Sequence, residues 1–218
     1  MRSLMPNTDH LPRTERGRQR AEELLNQAID IFIELGYERT SLDRIISRAG
    51  GSRSTIYQVY GNKEGLFVAA LQMMADEIYQ SYMADYRHGR TLEEDFAAFG
   101  RIYLSGMLNP RAVGACRLIF AETPRLTEIG AWFYREGIAK SYTGFAKVLE
   151  NHLDAPLPEL EDAAKRYIEM LRGPLFMKAL CHPGTVFSQQ ALDEESRRAA
   201  DIICTWLRAR WPERKNSA

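Results

Sequence analysis

The sequence predicts an all-α protein, with an N-terminal three-helix helix-turn-helix unit followed by a larger α-helical domain. Three observations carry that expectation. Apolar residues recur three and four apart from Thr14 almost to the end of the chain, the period of an amphipathic helix. No run of alternating apolar and polar residues is long enough to make a strand. The periodic stretches are separated by short clusters of Gly, Pro and Asn, the residues that stop helices.

Residues 1–13, with Pro6, Asn7, Asp9 and Pro12, read as a disordered tail. The first helix then places Ala21, Leu24, Leu25, Ala28, Ile29, Phe32 and Leu35 on one face. Gly36 follows, where a left-handed cap needs no side chain. Thr40-Ser41-Leu42-Asp43 reads as a capping box with Thr40 as the cap, opening a short helix that turns Leu42, Ile45, Ile46 and Ala49 inward. Gly50-Gly51 breaks it. Ser52 caps a third helix from Arg53 to about Tyr60, and Gly61-Asn62 ends that helix and caps the next.

Longer helices are expected over 62–87, 91–108, 110–122, 125–152, 158–181 and 190–210. The breaks between them are His88-Gly89-Arg90, Asn109-Pro110, Thr123-Pro124, Asp154 to Pro158, and His182-Pro183-Gly184. Gly173-Pro174 should kink or divide the helix that contains it, since proline removes a backbone hydrogen bond. A shift in composition near residue 70, beyond which the helices lengthen, divides the chain into a helix-turn-helix domain at 14–70, a larger helical domain at 71–212 and a tail at 213–218.

Two short helices joined by a tight glycine turn and packed on a longer one form a helix-turn-helix, whose second short helix enters the major groove. Arg53, Ser54, Thr55, Tyr57 and Gln58 cover the expected outer face of that helix, while Ile56 and Tyr60 point inward. The chain as a whole balances 29 basic against 29 acidic residues, which excludes a polycation that coats nucleic acid in bulk. Locally the balance differs. From Arg39 to Lys63 five basic residues (Arg39, Arg44, Arg48, Arg53 and Lys63) face one acid, Asp43. Such a patch suits phosphates, whose neutralisation releases counterions. Lys63 also stands in the first turn of a helix, where backbone N–H groups favour an anion. The Arg53 fork matches guanine O6 and N7 together, and a phosphate contact is the competing role. Arg13, Arg16, Arg18 and Arg20 read as the solvated start of the first helix, or else as an arm over the DNA backbone.

The ordered set Thr40-Ser41-Leu42-Asp43-Arg44-Ile45-Ile46, Ala49-Gly50-Gly51-Ser52 and Thr55 through Phe67 resembles the signature of TetR/AcrR-type repressors, over roughly residues 14–70. The resemblance implies a homodimer bound to double-stranded operator DNA. It implies that Thr40, Tyr57 and Lys63 grip phosphates and that Arg53, Ser54, Thr55 and Gln58 form the recognition surface. Two positions depart from the pattern: Gly51 stands where the family often has valine, and Tyr60 where it usually has phenylalanine. Further on, Asn109-Pro110-Arg111 through Arg117-Leu118-Ile119-Phe120-Ala121-Glu122 to Pro124 resembles the AefR-like subgroup.

The resemblance implies that 71–212 is a ligand-binding and dimerisation domain, since the family's C-terminal body dimerises and often holds a small effector. Phe96, Phe99, Tyr103, Met107, Phe120, Trp132 and Phe133, with Arg117 and Tyr103 as polar contacts, are the candidate lining of a largely apolar pocket, although aromatics at helical spacing also serve as plain core. Stripes on the last two helices, including Tyr167, Leu171, Leu175, Ile203 and Trp206, are candidates for a four-helix dimer interface, the alternative being burial within one subunit.

No catalytic residues, metal ligands or cofactor are expected. His10, His88, His152 and His182 stand apart, with no HExxH, no Cys/His array, no phosphate loop and no GxSxG. The acids of Glu93-Glu94-Asp95 and Asp193-Glu194-Glu195 sit at helix starts, where they favour the dipole. Cys116, Cys181 and Cys204 imply no disulfide framework; they read as core filler, with a redox sensor at Cys116 or Cys181 as the alternative. With no signal-like N-terminus and no stretch near the about 20 apolar residues of a membrane span, the expected location is the cytoplasm. A helical ligand- or partner-binding protein without sequence-specific DNA binding, and a TetR-type activator, are the competing functions.

Overall fold

The computed structural model describes residues 14–85 and 91–214. The expected N-terminal tail, the His88-Gly89-Arg90 break and the end of the C-terminal tail lie outside the described residues. The described chain is helical, with one isolated antiparallel bridge between Leu153 and Glu213.

In order, the helices are α1 (Glu15–Leu35), α2 (Leu42–Ala49), α3 (Arg53–Tyr60), α4 (Lys63–Asp85), α5 (Leu92–Met107) and α6 (Pro110–Glu122). Then come α7 (Thr127–Trp132), a π-helical segment (Phe133–Ala139), α8 (Lys140–Leu149), α9 (Leu157–Cys181) and α10 (Gln189–Arg208). One expectation is corrected here. The single helix expected over 125–152 is interrupted by the wider π turns, and Gly137 within them has a low preference for α-helix. Pro174 does not divide α9, which runs through it. The ring lies on the exposed side of the helix, where solvent can serve the carbonyl it leaves unbonded.

The chain forms two compact units. The first takes the described residues through Glu77 together with Gly114–Phe133. Its core joins Phe32 of α1, Tyr37 of the following turn and Phe67 of α4, with ring centroids 4.8–5.6 Å apart. Gly114 of α6 lies against Ile33 of α1, and Arg125 pairs with Glu38 at 2.8 Å.

The second unit takes Ile78–Val113 and Tyr134 onward. Here α5 packs along α10 and α9, and α8 packs on α9. Phe96 and Phe99 of α5, Phe145 of α8 and Tyr167 of α9 form one aromatic cluster, with Phe99 and Phe145 stacked at 4.0 Å. Thr91 and Glu94 complete a capping box on α5. Its neighbouring acids are engaged too: Glu93 pairs with Arg208, and Asp95 Oδ2 lies 2.6 Å from Nε2 of His152. His152, which stands alone in the sequence, is thus tied to α5 from the loop after α8.

Three of the five candidate dimer residues are corrected by burial. Tyr167, Leu171 and Ile203 are core of the second unit, because α9 and α10 turn those faces toward α5 and toward each other. Leu175 and Trp206 are half-buried, and the large apolar side chains exposed on these helices are Leu157, Met177 and Ile202. Cys116 and Cys204 fill core positions as expected, whereas Cys181 at the end of α9 is exposed. Burial pushes the Cys204 thiol up to about 12.

Candidate nucleic-acid interface

The geometry of the first three helices follows from their caps. The Thr14 side chain accepts from Gly17 N, Ser41 from Arg44 N, and Ser52 from Thr55 N, so each helix begins where a short hydroxyl satisfies an otherwise unpaired donor. The cap of α2 is therefore Ser41 and not Thr40. Thr40 is 1% exposed, and its hydroxyl donates to the Gly36 carbonyl at 2.8 Å. One residue's difference turns Thr40 from the surface into the joint between α1 and α2.

Between α2 and α3 both glycines of the turn have positive φ, 76° at Gly50 and 97° at Gly51. Side-chain-bearing residues rarely adopt that backbone, so glycine at 51 suits the turn rather than loosening it. Gly51→Val, which restores the residue common in the family, is expected to destabilise the protein by roughly 1–3 kcal/mol through backbone strain. The thermal unfolding midpoint measures it.

On α3 burial alternates as the spacing predicts. Ile56, Val59 and Tyr60 are buried, while Arg53, Ser54, Thr55, Tyr57 and Gln58 are exposed. Tyr57 is 55% exposed, a large aromatic ring held outward on a short helix. Burial pushes the Tyr60 phenol up to about 12, so it stays neutral in the core. The Ser52 hydroxyl lies 2.8 Å from that of Ser54 and 2.9 Å from that of Thr55, which gathers three hydroxyls at the N-terminus of α3.

The positive charges are distributed otherwise than a count along the chain implies. Arg48 pairs with Glu34 of α1 at 2.8 Å, Arg53 with Asp43 of α2, and the Arg39 Nε donates to the Leu35 carbonyl at 2.7 Å. The Arg53 guanidinium holds the Asp43 carboxyl below its usual range, chiefly through the hydrogen bond between them. Lys63 donates to the carbonyls of Tyr37 and Thr40 at 3.0 and 3.1 Å, with its ammonium 4.3 Å from the Tyr37 ring centroid. It thus clamps the turn between α1 and α2 and keeps one N–H for another acceptor. Asn62 caps α4 by accepting from Gly65 N at 2.8 Å. Gly65 must remain small, since a Cβ there would stand 2.0 Å from the Tyr60 carbonyl oxygen. Of the arginines near the start of α1, Arg18 pairs with Glu15, and Arg13 lies outside the described residues.

The candidate pocket residues divide between the units. Phe96, Phe99, Tyr103 and Met107 belong to the second, where Phe96 and Phe99 are spent on the aromatic cluster and Tyr103 stacks on Phe99 at 5.6 Å. Arg117, Phe120, Trp132 and Phe133 belong to the first. There Phe120, 48% exposed, meets Phe133 edge-on at 6.0 Å, and Trp132 is buried with its indole N–H unpartnered. Sequence reasoning missed a polar cluster in the second unit. Tyr142 donates to Glu169, which also pairs with Arg172, and Arg172 lies in the field of Tyr103. Only the i,i+3 spacing of Glu169 and Arg172 signalled it. Among the described residues no three or more His, Cys, Asp or Glu side chains converge on a possible metal site, and no helix is long and apolar enough to cross a membrane.

Comparison with known proteins agrees with this arrangement. The sequence model of bacterial regulatory proteins of the tetR family matches residues 24–70, and that of the AefR-like transcriptional repressor C-terminal domain matches residues 94–208. The uncharacterised HTH-type transcriptional regulator YezE of Bacillus subtilis is 27% identical over 116 residues, which cover 52% of this chain and 60% of YezE. The HTH-type transcriptional activator FasR of Mycolicibacterium smegmatis is 37% identical over 70 residues, covering 32% of this chain and 30% of FasR. The matches thus span 60% or less of these two relatives. In fold, the crystal structure of a putative TetR-family regulator from Mesorhizobium loti superposes with a TM-score of 0.76 at 21% identity, covering 88% of this chain and 98% of that one. With the C-terminal match alone taking in more than half of its length, the chain belongs to the TetR family of bacterial regulatory proteins and carries an AefR-like C-terminal domain.

Proposed function

We propose that this protein is a cytoplasmic transcriptional repressor that binds a palindromic operator as a homodimer and is released by a small, largely apolar effector. The observation that carries the reading is α3 itself: five hydrogen-bonding side chains stand exposed on a helix whose other face is anchored by Ile56, Val59 and Tyr60. A helix so anchored can enter a major groove without rearranging its support. In this reading the DNA-binding domain spans 14–70 and the effector and dimerisation domain 71–212. Ser54, Thr55 and Gln58 meet base edges, Tyr57 meets phosphate, and Lys63 offers phosphate its remaining N–H. Thr40 supports the site from inside rather than touching DNA. Leu175 and Trp206, with the exposed Ile202 one turn before Trp206, supply the dimer face. The effector acts by favouring a conformation that spaces the two recognition helices wrongly for the operator.

Selection of bound fragments from the host's genomic DNA, at near-physiological salt, tests the reading against an Arg53→Ala/Tyr57→Ala variant. One palindromic motif, recovered by the wild type and lost by the variant, is expected. No enrichment by folded, dimeric protein would favour the ligand- or partner-binding alternative. Because the FasR relative is named an activator, the sign of regulation is read separately. Deletion of the gene raises target transcripts if the protein represses and lowers them if it activates.

A further inference from the structure

The Arg53 guanidinium has two edges that can make paired hydrogen bonds: Nε with one Nη, and the two Nη atoms together. Asp43 occupies the first. The Arg53 Nε donates to its Oδ1 at 2.6 Å, and Nη2 donates to Oδ2. The second edge, with one N–H on each Nη directed outward, is left to meet a partner. That edge has the spacing of guanine O6 and N7. Arg53 is the first residue of α3, at the end of the recognition helix that meets base edges.

Both side chains are more than 60% exposed, at 64% and 62%, so the pair contributes little to stability. Its effect is on geometry and charge. The carboxylate fixes the plane of a guanidinium that would otherwise sample several rotamers, so less freedom is lost when it docks on a base. It also stands beside the fork as a negative charge, which phosphate disfavours and the guanine acceptors, being uncharged, tolerate far better. The two consequences point the same way: they separate base reading from backbone attraction.

We propose that Asp43 of α2 is a specificity-determining positioning residue, which holds Arg53 in the orientation that reads a guanine and keeps it off the phosphate backbone. This rests on the operator-binding reading above, and it resolves the choice between the guanine and phosphate roles of Arg53 in favour of guanine.

Selection from a pool of randomised DNA duplexes tests it, using the full-length wild type, Arg53→Ala, Asp43→Ala and Asp43→Glu. The same proteins are titrated with a mixed-sequence duplex at two salt concentrations. The wild type is expected to select a guanine at one position of each half-site, and Arg53→Ala to lose that choice. Asp43→Ala should lower the preference at the same position at least about tenfold. It should also bind the mixed duplex more tightly and with a steeper salt dependence, since the freed Arg53 becomes one more phosphate contact. Asp43→Glu keeps the charge and suits a helix start, but its extra methylene displaces the fork. It should lose the guanine preference with no gain on mixed DNA. Guanine selection within about twofold of wild type in both Asp43 variants, where Arg53→Ala has lost it, would overturn the proposal. A wild type that enriches no motif would instead sink the operator reading itself, and the role of Asp43 with it.

Discussion

Replacing Phe67 by alanine is expected to destabilise the first unit by about 3–5 kcal/mol, the range for deleting a fully buried aromatic. Phe67 is completely buried and its ring lies 4.8 Å from Phe32 and 5.3 Å from Tyr37. Deleting the ring removes both contacts and leaves a cavity between Phe32 and Tyr37. Native stabilities are only about 5–15 kcal/mol, so the loss is a large fraction of the whole. The effect should reach α3. Tyr37 carries Lys63 over its ring, and its carbonyl accepts from the same ammonium. A loosened Tyr37 therefore releases the clamp on the α1–α2 turn. Denaturant unfolding should show a lower midpoint, and hydrogen exchange should speed up in α1 to α4. Phe67→Leu, which conserves most of the volume, should cost less than about 1.5 kcal/mol. Equal stability of Phe67→Ala and wild type would mean that this trio is not the core of the unit.

The second large effect is expected at Tyr167. It is fully buried, lies 4.6 Å from Phe96 edge-on and 5.6 Å from Phe145, and donates its hydroxyl to the Phe96 carbonyl. Tyr167→Ala should cost about 3–5 kcal/mol, from the lost ring and the cavity it leaves. Tyr167→Phe separates the two contributions. It keeps the ring and removes the hydrogen bond, and should cost only about 1 kcal/mol. The hydroxyl also accounts for Gly100. A Cβ at that position of α5 would stand 2.4 Å from the Tyr167 oxygen and 3.1 Å from the Ser196 side chain. The contact of α5 with α9 and α10 is thus close because one residue has no side chain. Denaturant midpoints of the two variants check the split. A Tyr167→Phe loss as large as that of Tyr167→Ala would place the energy in the hydroxyl rather than in packing.

Much of the candidate interface was legible before any tertiary contact was known. The inward Ile56 and Tyr60, the outward Arg53, Ser54, Thr55, Tyr57 and Gln58, the Ser52 and Asn62 caps and the glycine ends are local features. A helix three to four residues in period declares its buried face, and a cap is decided by the residue that stands there. The misplacement of the α2 cap at Thr40 shows the limit of that reasoning. Two adjacent hydroxyl residues can both cap a helix, and the choice fell to Ser41, the better capping type, while Thr40 is drawn inward to the Gly36 carbonyl.

What the sequence by itself determined is therefore the all-α class, the three-helix unit with the exposed polar face of α3, and the tetR-family membership those residues announce. The tertiary structure alone decided which partner each charged or apolar side chain would meet. It brought Glu34 to Arg48, Asp43 to Arg53 and Lys63 to the α1–α2 turn, so that, with Arg39 bonded to the Leu35 carbonyl, four of the five basic residues counted along the chain have partners within the protein. It placed Gly114–Phe133 in the first unit, and turned Tyr167, Leu171 and Ile203 into the second unit's core instead of toward another subunit. The physical reason is common to all of these. Periodicity states that a helix has a face to bury, and charge states that a residue seeks a counterion. Neither carries the position of the surface that will cover it, because that surface comes from residues distant in the chain.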